Sequence, residues 1–558
     1  MRAPKNFPQG TNPGKLPSRI SYLKMHARHF LARLSVLGLF LATLICSLPP
    51  ASAAATQPNI LYILCDDLGY GDVHALNQGG KILTPNLDRL AGQGVAFTDC
   101  HGSSSVCTPT RYGILTGRYN WRSRLQSGVL WGTSQHLIEP ERLTVARLLH
   151  DRGYNTACIG KWHLGMDWAK LKPGAPAGKQ TEDSAPIDYT QNIRYGPTSV
   201  GFDSYFGISA SLDMPPFVYI ENDHVTAVPT IEKTWVRKGP AAPDFEAIDV
   251  LPTLTRKAIS YLEAKAPDAK AGKPFFLYLP LNSPHGPIVP TPEWQGKSSL
   301  NAYGDFVMET DDCVGQVLAA LDKQGLASNT LVIFTSDNGC SPVANIPELE
   351  SKGHFANYHF RGAKADIWDG GHRIPFLVRW PGKVKAGSQS DQLICLTDLL
   401  ATCADLLGAK LPDNAGEDSV SILPALLGAA AGPLREAVVH HSINGSFSIR
   451  QGNWKLELCS GSGGWSAPKP GSKEAKSLPS VQLYDLSADI GEKLNVEGQH
   501  PEIVQRLTKL LEKYVSDGRS TPGAVQENDA PIDLWKDAPG SGAGSRRSAA
   551  SSVTDRGD

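Results

Sequence analysis

Short apolar runs alternate with amphipathic stretches along most of this chain. Asn59-Ile-Leu-Tyr-Ile-Leu-Cys65 is apolar without alternation, which predicts a strand buried on both faces. Residues 155–159, 274–279 and 330–335 read the same way. Between the strands, residues 84–90 predict a helix with Thr84 as its cap and Pro85 in the first turn. Residues 143–149 have helical spacing and stop before Gly153, and residues 302–321 predict a long amphipathic packing helix. Strands interleaved with helices imply an α/β fold with a large, mostly parallel central sheet covered by helices.

The pattern changes along the chain. Residues 170–195 are polar and rich in Gly, Pro and Ala, which predicts a surface loop over the strand ends. Residues 405–435 connect to Phe447-Ser-Ile-Arg450, Trp454-Lys-Leu-Glu-Leu458 and Gln482-Leu-Tyr-Asp485, three short strands of an antiparallel sheet. An amphipathic helix over 501–514 closes this small α+β unit, and from Asp537 the composition turns to Gly, Ser, Ala and Arg, as in disordered tails. The expected organisation is a leader over 1–55, a catalytic α/β domain over 56–430, a C-terminal α+β domain over 431–520 and a low-complexity tail over 521–558.

The leader reads as an export signal. Lys24, Arg28 and Arg33 precede an apolar run, Leu34 to Ile45, and Ala51-Ser52-Ala53 offers a small-residue cleavage site. Met25 starts a more typical signal than Met1 does, so residues 1–24 read as an over-extended start. The apolar run is short for a membrane span, and no stable span is expected after cleavage; an uncleaved anchor is the alternative. Export implies a periplasmic or extracellular protein, or a lysosome-like location in a eukaryote.

Composition adds limits. The chain has 558 residues and a formal net charge of -1, which argues against nucleic-acid binding and against bulk attraction to a membrane surface. Ten cysteines are scattered without C-x-x-C pairs, so no zinc knuckle is indicated. Cys46 leaves with the signal, and the odd number remaining points to one thiol with a special fate, for which Cys107 is the candidate. Asn444-Gly-Ser446 is a glycosylation sequon.

Chemistry concentrates at the strand ends, where open α/β sheets bind ligands. The first strand runs into Asp66 and Asp67, the second into Lys161 and His163, the third into His285 and the fourth into Asp337 and Asn338. Adjacent Asp66 and Asp67 repel one another unless a cation lies between them or one is protonated. All-oxygen ligands favour a hard cation, and several carboxylates with an amide oxygen suit Ca²⁺ better than Mg²⁺. Cys107 precedes Thr108-Pro109, read as a helix cap and first turn; this places Cys107 at a helix N-terminus, where an anion is favoured, with Arg111 one turn on. His101, His150, His359 and His372 belong to no motif. Trp121, Trp131 and Trp368 read as core or rim residues, with stacking on sugar rings the alternative, and Asp213 and Glu221 flank a segment expected at the edge of the site, with a substrate-contacting residue there the alternative to plain packing.

Cys107-Thr-Pro-Thr-Arg111 with Leu115-Thr-Gly-Arg118 resembles the first signature of the type I, formylglycine-dependent sulfatases, and Gly153 through Lys161-Trp-His163-Leu-Gly165 resembles the second. Asn59 to Asp67, Ser283-Pro-His285-Gly-Pro287, Ser336-Asp337-Asn338-Gly339 and Lys364 match in type and order, over roughly residues 57–500. Thr110 departs mildly, since Ser or Ala is usual there. The resemblance, of an arylsulfatase or N-acetylgalactosamine-6-sulfatase kind, implies the alkaline-phosphatase-like sandwich and hydrolysis of sulfate esters. It further implies that a maturation enzyme oxidises Cys107 to formylglycine, whose hydrate attacks sulfur and forms a covalent sulfated enzyme. By the same resemblance Asp66, Asp67, Asp337 and Asn338 bind Ca²⁺ with an oxygen of residue 107. Arg111 steadies the nucleophile and His163 takes the proton that expels sulfate. Lys161, Lys364 and His285 grip the sulfate oxygens, and His285 or Lys364 assists the leaving alcohol. Sulfated carbohydrates, polysaccharides included, are expected ahead of aryl sulfates. A phosphodiesterase or phosphonate monoester hydrolase of the same superfamily is the alternative enzyme, and a non-catalytic sulfated-glycan binding protein the alternative of another class.

Overall fold

Strand β1 (Asn59–Asp66) is buried at every position in the computed structural model, which describes residues 57–171 and 187–536. An unbroken apolar run survives this only with neighbours on both edges and cover on both faces. The leader, the middle of the 170–195 loop and the chain from Asp537 lie outside the described residues.

The strands that follow are β2 (Val95–Phe97), β3 (Cys100–His101), β4 (Asn155–Lys161), β5 (Ser204–Ile208), β6 (Ile220–Glu221) and β7 (His224–Val225). Next come the hairpin β8 (Ile231–Trp235) and β9 (Arg237–Ala241), then β10 (Phe275–Pro284), β11 (Thr330–Ser336), β12 (Phe376–Arg379), β13 (Ser388–Ser390) and β14 (Ile394–Cys395). Ten of them form one sheet in the order β13-β2-β12-β11-β1-β10-β4-β5-β6-β7. Its centre, β11-β1-β10-β4-β5, is parallel throughout, so four chemically loaded strand ends share one edge. Cys65 lies opposite Ser336, so Asp66 and Asp337 leave the sheet at one level.

Helices α1 (Pro85–Gly92), α2 (Cys107–Thr116), α3 (Val145–His150), α4 (Ala247–Lys270), α5 (Ala302–Lys323) and α6 (Leu399–Leu406) cover the sheet. α4 packs on α5 and both on β10, while α2 and α3 pack on α6. This is the expected alkaline-phosphatase-like α/β sandwich. Two caps differ from the sequence reading. Thr84 spends its hydroxyl oxygen on the His74 N–H at 3.0 Å, and the start of α1 is capped by Asp311 of α5, which accepts from the N–H groups of Asn86 (3.1 Å) and Leu87 (2.8 Å). Thr108 does not cap α2 either, because the helix already begins at Cys107.

Strands β15 (Val438–His441), β16 (Phe447–Gln451), β17 (Trp454–Glu457) and β18 (Gln482–Asp485) make the small antiparallel sheet, with α7 (Pro501–Ser516) packed on β16 and β17. Its core takes in Tyr119 and Trp121 from the chain after α2, so this sheet supports the helix that carries Cys107. Residues 521–536, grouped in the sequence with the tail, make specific contacts. Asp529 accepts from Arg118 at 3.0 and 3.1 Å, Asn528 accepts from Arg122 at 3.0 Å, and Leu534 is buried. Among the described residues no helix is long and apolar enough to cross a membrane.

Candidate active site

Two strand ends are sewn together first. The Asp337 N–H donates to the Cys65 carbonyl (3.1 Å), the Asp67 N–H to Asp337 Oδ1 (3.2 Å) and the Leu68 N–H to Ser336 Oγ (3.0 Å). Asp67 holds φ 68°, a left-handed conformation that Asp tolerates better than most side chains. That turn keeps both adjacent carboxylates at the edge, with Asp66, Asp67, Asp337 and Asn338 all buried.

Cations converge on these carboxylates from other elements. Lys161, at the end of β4, donates to Asp66 Oδ2 at 2.6 Å. Lys364 donates to Asp67 at 2.8–2.9 Å, from a loop pinned by hydrogen bonds from its own N–H to the Cys340 carbonyl and from the Ala365 N–H to the Ser105 carbonyl. Arg111 comes from α2, one turn beyond Cys107. It donates to Asp337 Oδ2 through Nε at 2.9 Å and to the Lys161 carbonyl at 2.9 Å, and its second terminal nitrogen is 2.8 Å from Asp337. His285 Nε2 lies 3.7 Å from Asp67.

The Cys107 sulfur and an oxygen each of Asp66 and Asp337 lie within 4.8 Å of one another. Burial pushes the Cys107 thiol up, against the pull of Lys161 and Lys364, so residue 107 is a poor thiolate nucleophile as it stands. Burial would also raise Asp66, but Lys161, then His285, Arg111 and Lys364, hold it well below the usual carboxylate range. Asp337 is pushed up to about 6 by burial and by the neighbouring Asp66 charge, with Arg111 opposing.

The donor set fits a hard divalent cation. Asp66 Oδ1 and Asn338 Oδ1 are buried and have no hydrogen-bond partner among the described residues, a cost of about 1–3 kcal/mol each unless something binds there. Asn338 Nδ2 donates to Asp67 Oδ1 at 2.7 Å, which leaves the amide oxygen as its free ligand atom.

His163 is held in one tautomer. Its Nε2 bonds to the Leu130 carbonyl at 2.7 Å; a carbonyl only accepts, so Nε2 carries the hydrogen. Nδ1 is then a bare lone pair, buried and without a partner among the described residues. Burial, with Lys161 and Arg111 beside it, keeps the ring well below the usual histidine pKa and hence neutral. The Thr108 hydroxyl donates to the His163 carbonyl (3.0 Å) and accepts from the Leu130 N–H (3.2 Å), tying the base to the residue after Cys107.

Every residue singled out at the strand ends thus reaches this edge. His101 and His372 instead bond to one another at 3.0 Å in a buried cluster with His440, and His150 is exposed beside Asp151. Trp121 and Trp368 are buried, whereas Trp131 is exposed. Asp213 pairs with Arg237, and Glu221 is exposed on β6. Sequence reasoning missed Leu130, whose part is played by its backbone and left no side-chain signal. It also missed Asn282 on β10, buried with neither amide atom partnered among the described residues. A polar side chain three residues before His285 in an apolar strand was the available clue.

Comparison with known proteins agrees. The Sulfatase family model matches residues 58–409. An N-acetylgalactosamine-6-O-sulfatase of Bacteroides thetaiotaomicron is 35% identical over 505 residues, covering 82% of this chain and 93% of that protein. Human arylsulfatase A is 33% identical, covering 87% of this chain and 93% of its own length. A solved structure from work on glycosaminoglycan metabolism by B. thetaiotaomicron superposes with a TM-score of 0.70 at 34% identity, covering 82% of this chain and 99% of the other. With both the matched span and the crowded strand edge inside it, the chain belongs to the sulfatase family and is a sulfuric ester hydrolase.

Proposed function

We propose that the chain hydrolyses sulfate esters of carbohydrates, with Cys107 oxidised to formylglycine and Ca²⁺ held by Asp66, Asp67, Asp337, Asn338 and an oxygen of residue 107. The observation that carries this reading is the pair of buried oxygens without a hydrogen bond, Asp66 Oδ1 and Asn338 Oδ1, beside the carboxylates of Asp67 and Asp337. The cation, when bound, supplies positive charge beside residue 107 and the sulfate, and the aldehyde hydrate supplies a geminal hydroxyl as nucleophile. Ca²⁺ is preferred to Mg²⁺ because the carboxylate-rich set tolerates looser geometry.

The chain's own residues have separable tasks. Arg111, paired with Asp337, keeps a second terminal nitrogen without a hydrogen bond among the described residues, a donor left to steady the nucleophile at residue 107. Lys161 and Lys364 bring ammonium donors to the sulfate oxygens, and His285 stands beside them to protonate the departing alcohol. His163 accepts a proton at Nδ1, the one ring nitrogen left bare. All of these groups are buried or nearly so, which excludes water and strengthens each charge contact.

Sulfated carbohydrate is the preferred substrate because the relative at 35% identity is an N-acetylgalactosamine-6-O-sulfatase. The signal-like leader supports a working protein outside the cytoplasm, periplasmic or extracellular, or lysosome-like in a eukaryote. Turnover of nitrocatechol sulfate and bis-nitrophenyl phosphate by protein produced with a maturation enzyme tests the reaction, and a preference for the phosphodiester rejects it. Mass spectrometry of the peptide spanning 101–118 tests the modification: unmodified Cys107 in active protein contradicts the nucleophile.

A further inference from the structure

Beside His163, three segments unconnected in sequence meet at the rim of the site. The loop at Leu130–Gly132 is held by the bonds from His163 Nε2 to the Leu130 carbonyl (2.7 Å) and from the Leu130 N–H to Thr108 (3.2 Å). The segment after β5 is held by the His163 N–H, which donates to the Ser209 carbonyl at 2.9 Å. The β8–β9 hairpin leans on that segment through the Phe217 N–H to the Pro240 carbonyl at 2.9 Å. Glycines make the junction tight. A Cβ at Gly132 would come to 2.2 Å from the Pro215 carbonyl oxygen, and one at Gly239 to 2.3 Å from the Pro215 side chain.

From these three supports come Trp131, Asp213 and Arg237. The Arg237 guanidinium lies 5.0 Å from the centre of the Trp131 ring and pairs with Asp213 Oδ2. Trp131 is 38% exposed, unlike the buried Trp121 and Trp368. The Arg237 side chain is 40% exposed and that of Asp213 only 13%. Asp213 Oδ1 is buried and has no partner among the described residues. A plain surface ion pair leaves its second carboxylate oxygen in water, where hydration costs nothing; here that oxygen has been withdrawn from water with nothing supplied in return.

We infer that Trp131, Asp213 and Arg237 form the subsite for the sugar ring that carries the sulfate, an inference that rests on the sulfated-carbohydrate reading above. An exposed indole offers a flat apolar face to the C–H side of a pyranose. A carboxylate accepts from ring hydroxyls, and a guanidinium donates in a fixed fork to hydroxyl or carboxylate oxygens. No step of sulfate transfer uses these groups. The segments that carry Trp131 and Asp213 are tied to the site by the bonds of Leu130 to His163 and Thr108 and of Ser209 to His163.

The test compares two substrates of the full chain carrying the modified residue 107: N-acetylgalactosamine 6-sulfate, which has the ring, and nitrocatechol sulfate, which lacks it. Trp131→Ala and Asp213→Asn are expected to lower kcat/KM for the sugar sulfate about ten-fold or more relative to that for the aryl sulfate, chiefly through KM, as loss of a charged hydrogen bond or stacked ring implies. Equal losses on both substrates, or none, overturn the subsite. A calorimetric titration of Cys107→Ala protein with the same sugar sulfate decides the matter without turnover. Binding that weakens about ten-fold on adding Asp213→Asn supports the subsite, while an unchanged Kd, or no binding to Cys107→Ala at all, overturns it. Wild-type protein that hydrolyses neither sulfate would defeat the reaction instead, and the titration would still judge the subsite.

Discussion

His163 Nε2 donates to the carbonyl of Leu130 at 2.7 Å, and this bond decides which nitrogen of His163 can work as a base. With the Nε2 hydrogen committed, proton transfer must use the buried Nδ1. Removing that acceptor with His163→Ala should lower kcat by about 10²–10⁴-fold, with KM changed far less. The trapped species should carry sulfate on the 101–118 peptide, visible by mass spectrometry. Because burial and the flanking cations hold the ring below its ordinary pKa, the base stays unprotonated into mild acid. The acid limb of kcat assigned to His163 should therefore fall below about pH 6.5, the unperturbed histidine value. A limb at or above that pH, lost in the variant, would refute the assignment.

Asp337 pairs with Arg111 and, in the proposed function, also holds the cation. Arg111 is wholly buried and pairs with one oxygen of Asp337, to which its Nε donates. Asp337→Ala should therefore remove bound Ca²⁺ and activity and also destabilise the fold by about 3–5 kcal/mol, the cost of leaving a buried charge unpaired. Asp337→Asn keeps an acceptor for Arg111 and should recover much of the stability while still losing metal. Calcium content by mass spectrometry and urea denaturation separate the two effects. Unchanged calcium in either variant contradicts the ligand set.

The strand ends were legible because function and fold use different alphabets there. β1, β4, β10 and β11 are apolar until their last residues, so Asp66, Lys161, His285 and Asp337 stand out against the run that precedes them. Parallel pairing then puts all four on one edge without further information. What stayed hidden depends on contacts between distant segments. Thr108 looked like a helix cap, since Thr before Pro usually is one, yet its hydroxyl is used by His163 and Leu130. Asp213, Arg237 and Trp131 meet only because a hairpin folds back over the segment after β5, which no local pattern announces.

The same limit appears at α1, where the predicted cap, Thr84, is not the working one. Asp311→Ala should cost about 0.5–2 kcal/mol, typical of losing a side-chain cap, because the Asn86 and Leu87 N–H groups lose their acceptor. Thr84→Ala should cost less, since it releases the His74 N–H and a long bond to Asp88 but no N–H of the helix start. Thermal or urea melts of the two variants give the order directly, and a larger loss for Thr84→Ala would restore the sequence reading.

Acid should unfold this protein from an unusually high pH. His101, His163, His372 and His440 are all buried and held neutral, chiefly by burial, below the ordinary histidine pKa. In the unfolded chain each binds a proton from about pH 6.5 downward. The unfolded state then holds more protons than the native one, so stability falls as pH falls. Each histidine contributes at most about 1.4 kcal/mol per pH unit between the unfolded and folded values. Carboxylates held down by cations, such as Asp99 beside Arg373 and Arg450 and hydrogen-bonded to His101, add their loss only below about pH 4, where an unfolded Asp begins to protonate. The midpoint of urea unfolding should therefore drop from pH 7 to pH 5, less steeply than four histidines alone would give, because Asp337, pushed up to about 6, takes up its proton in the native state over the same interval. A midpoint that stays level across that interval would mean these imidazoles are charged in the native protein, with the surrounding Asp99 and Asp369 stabilising the charge.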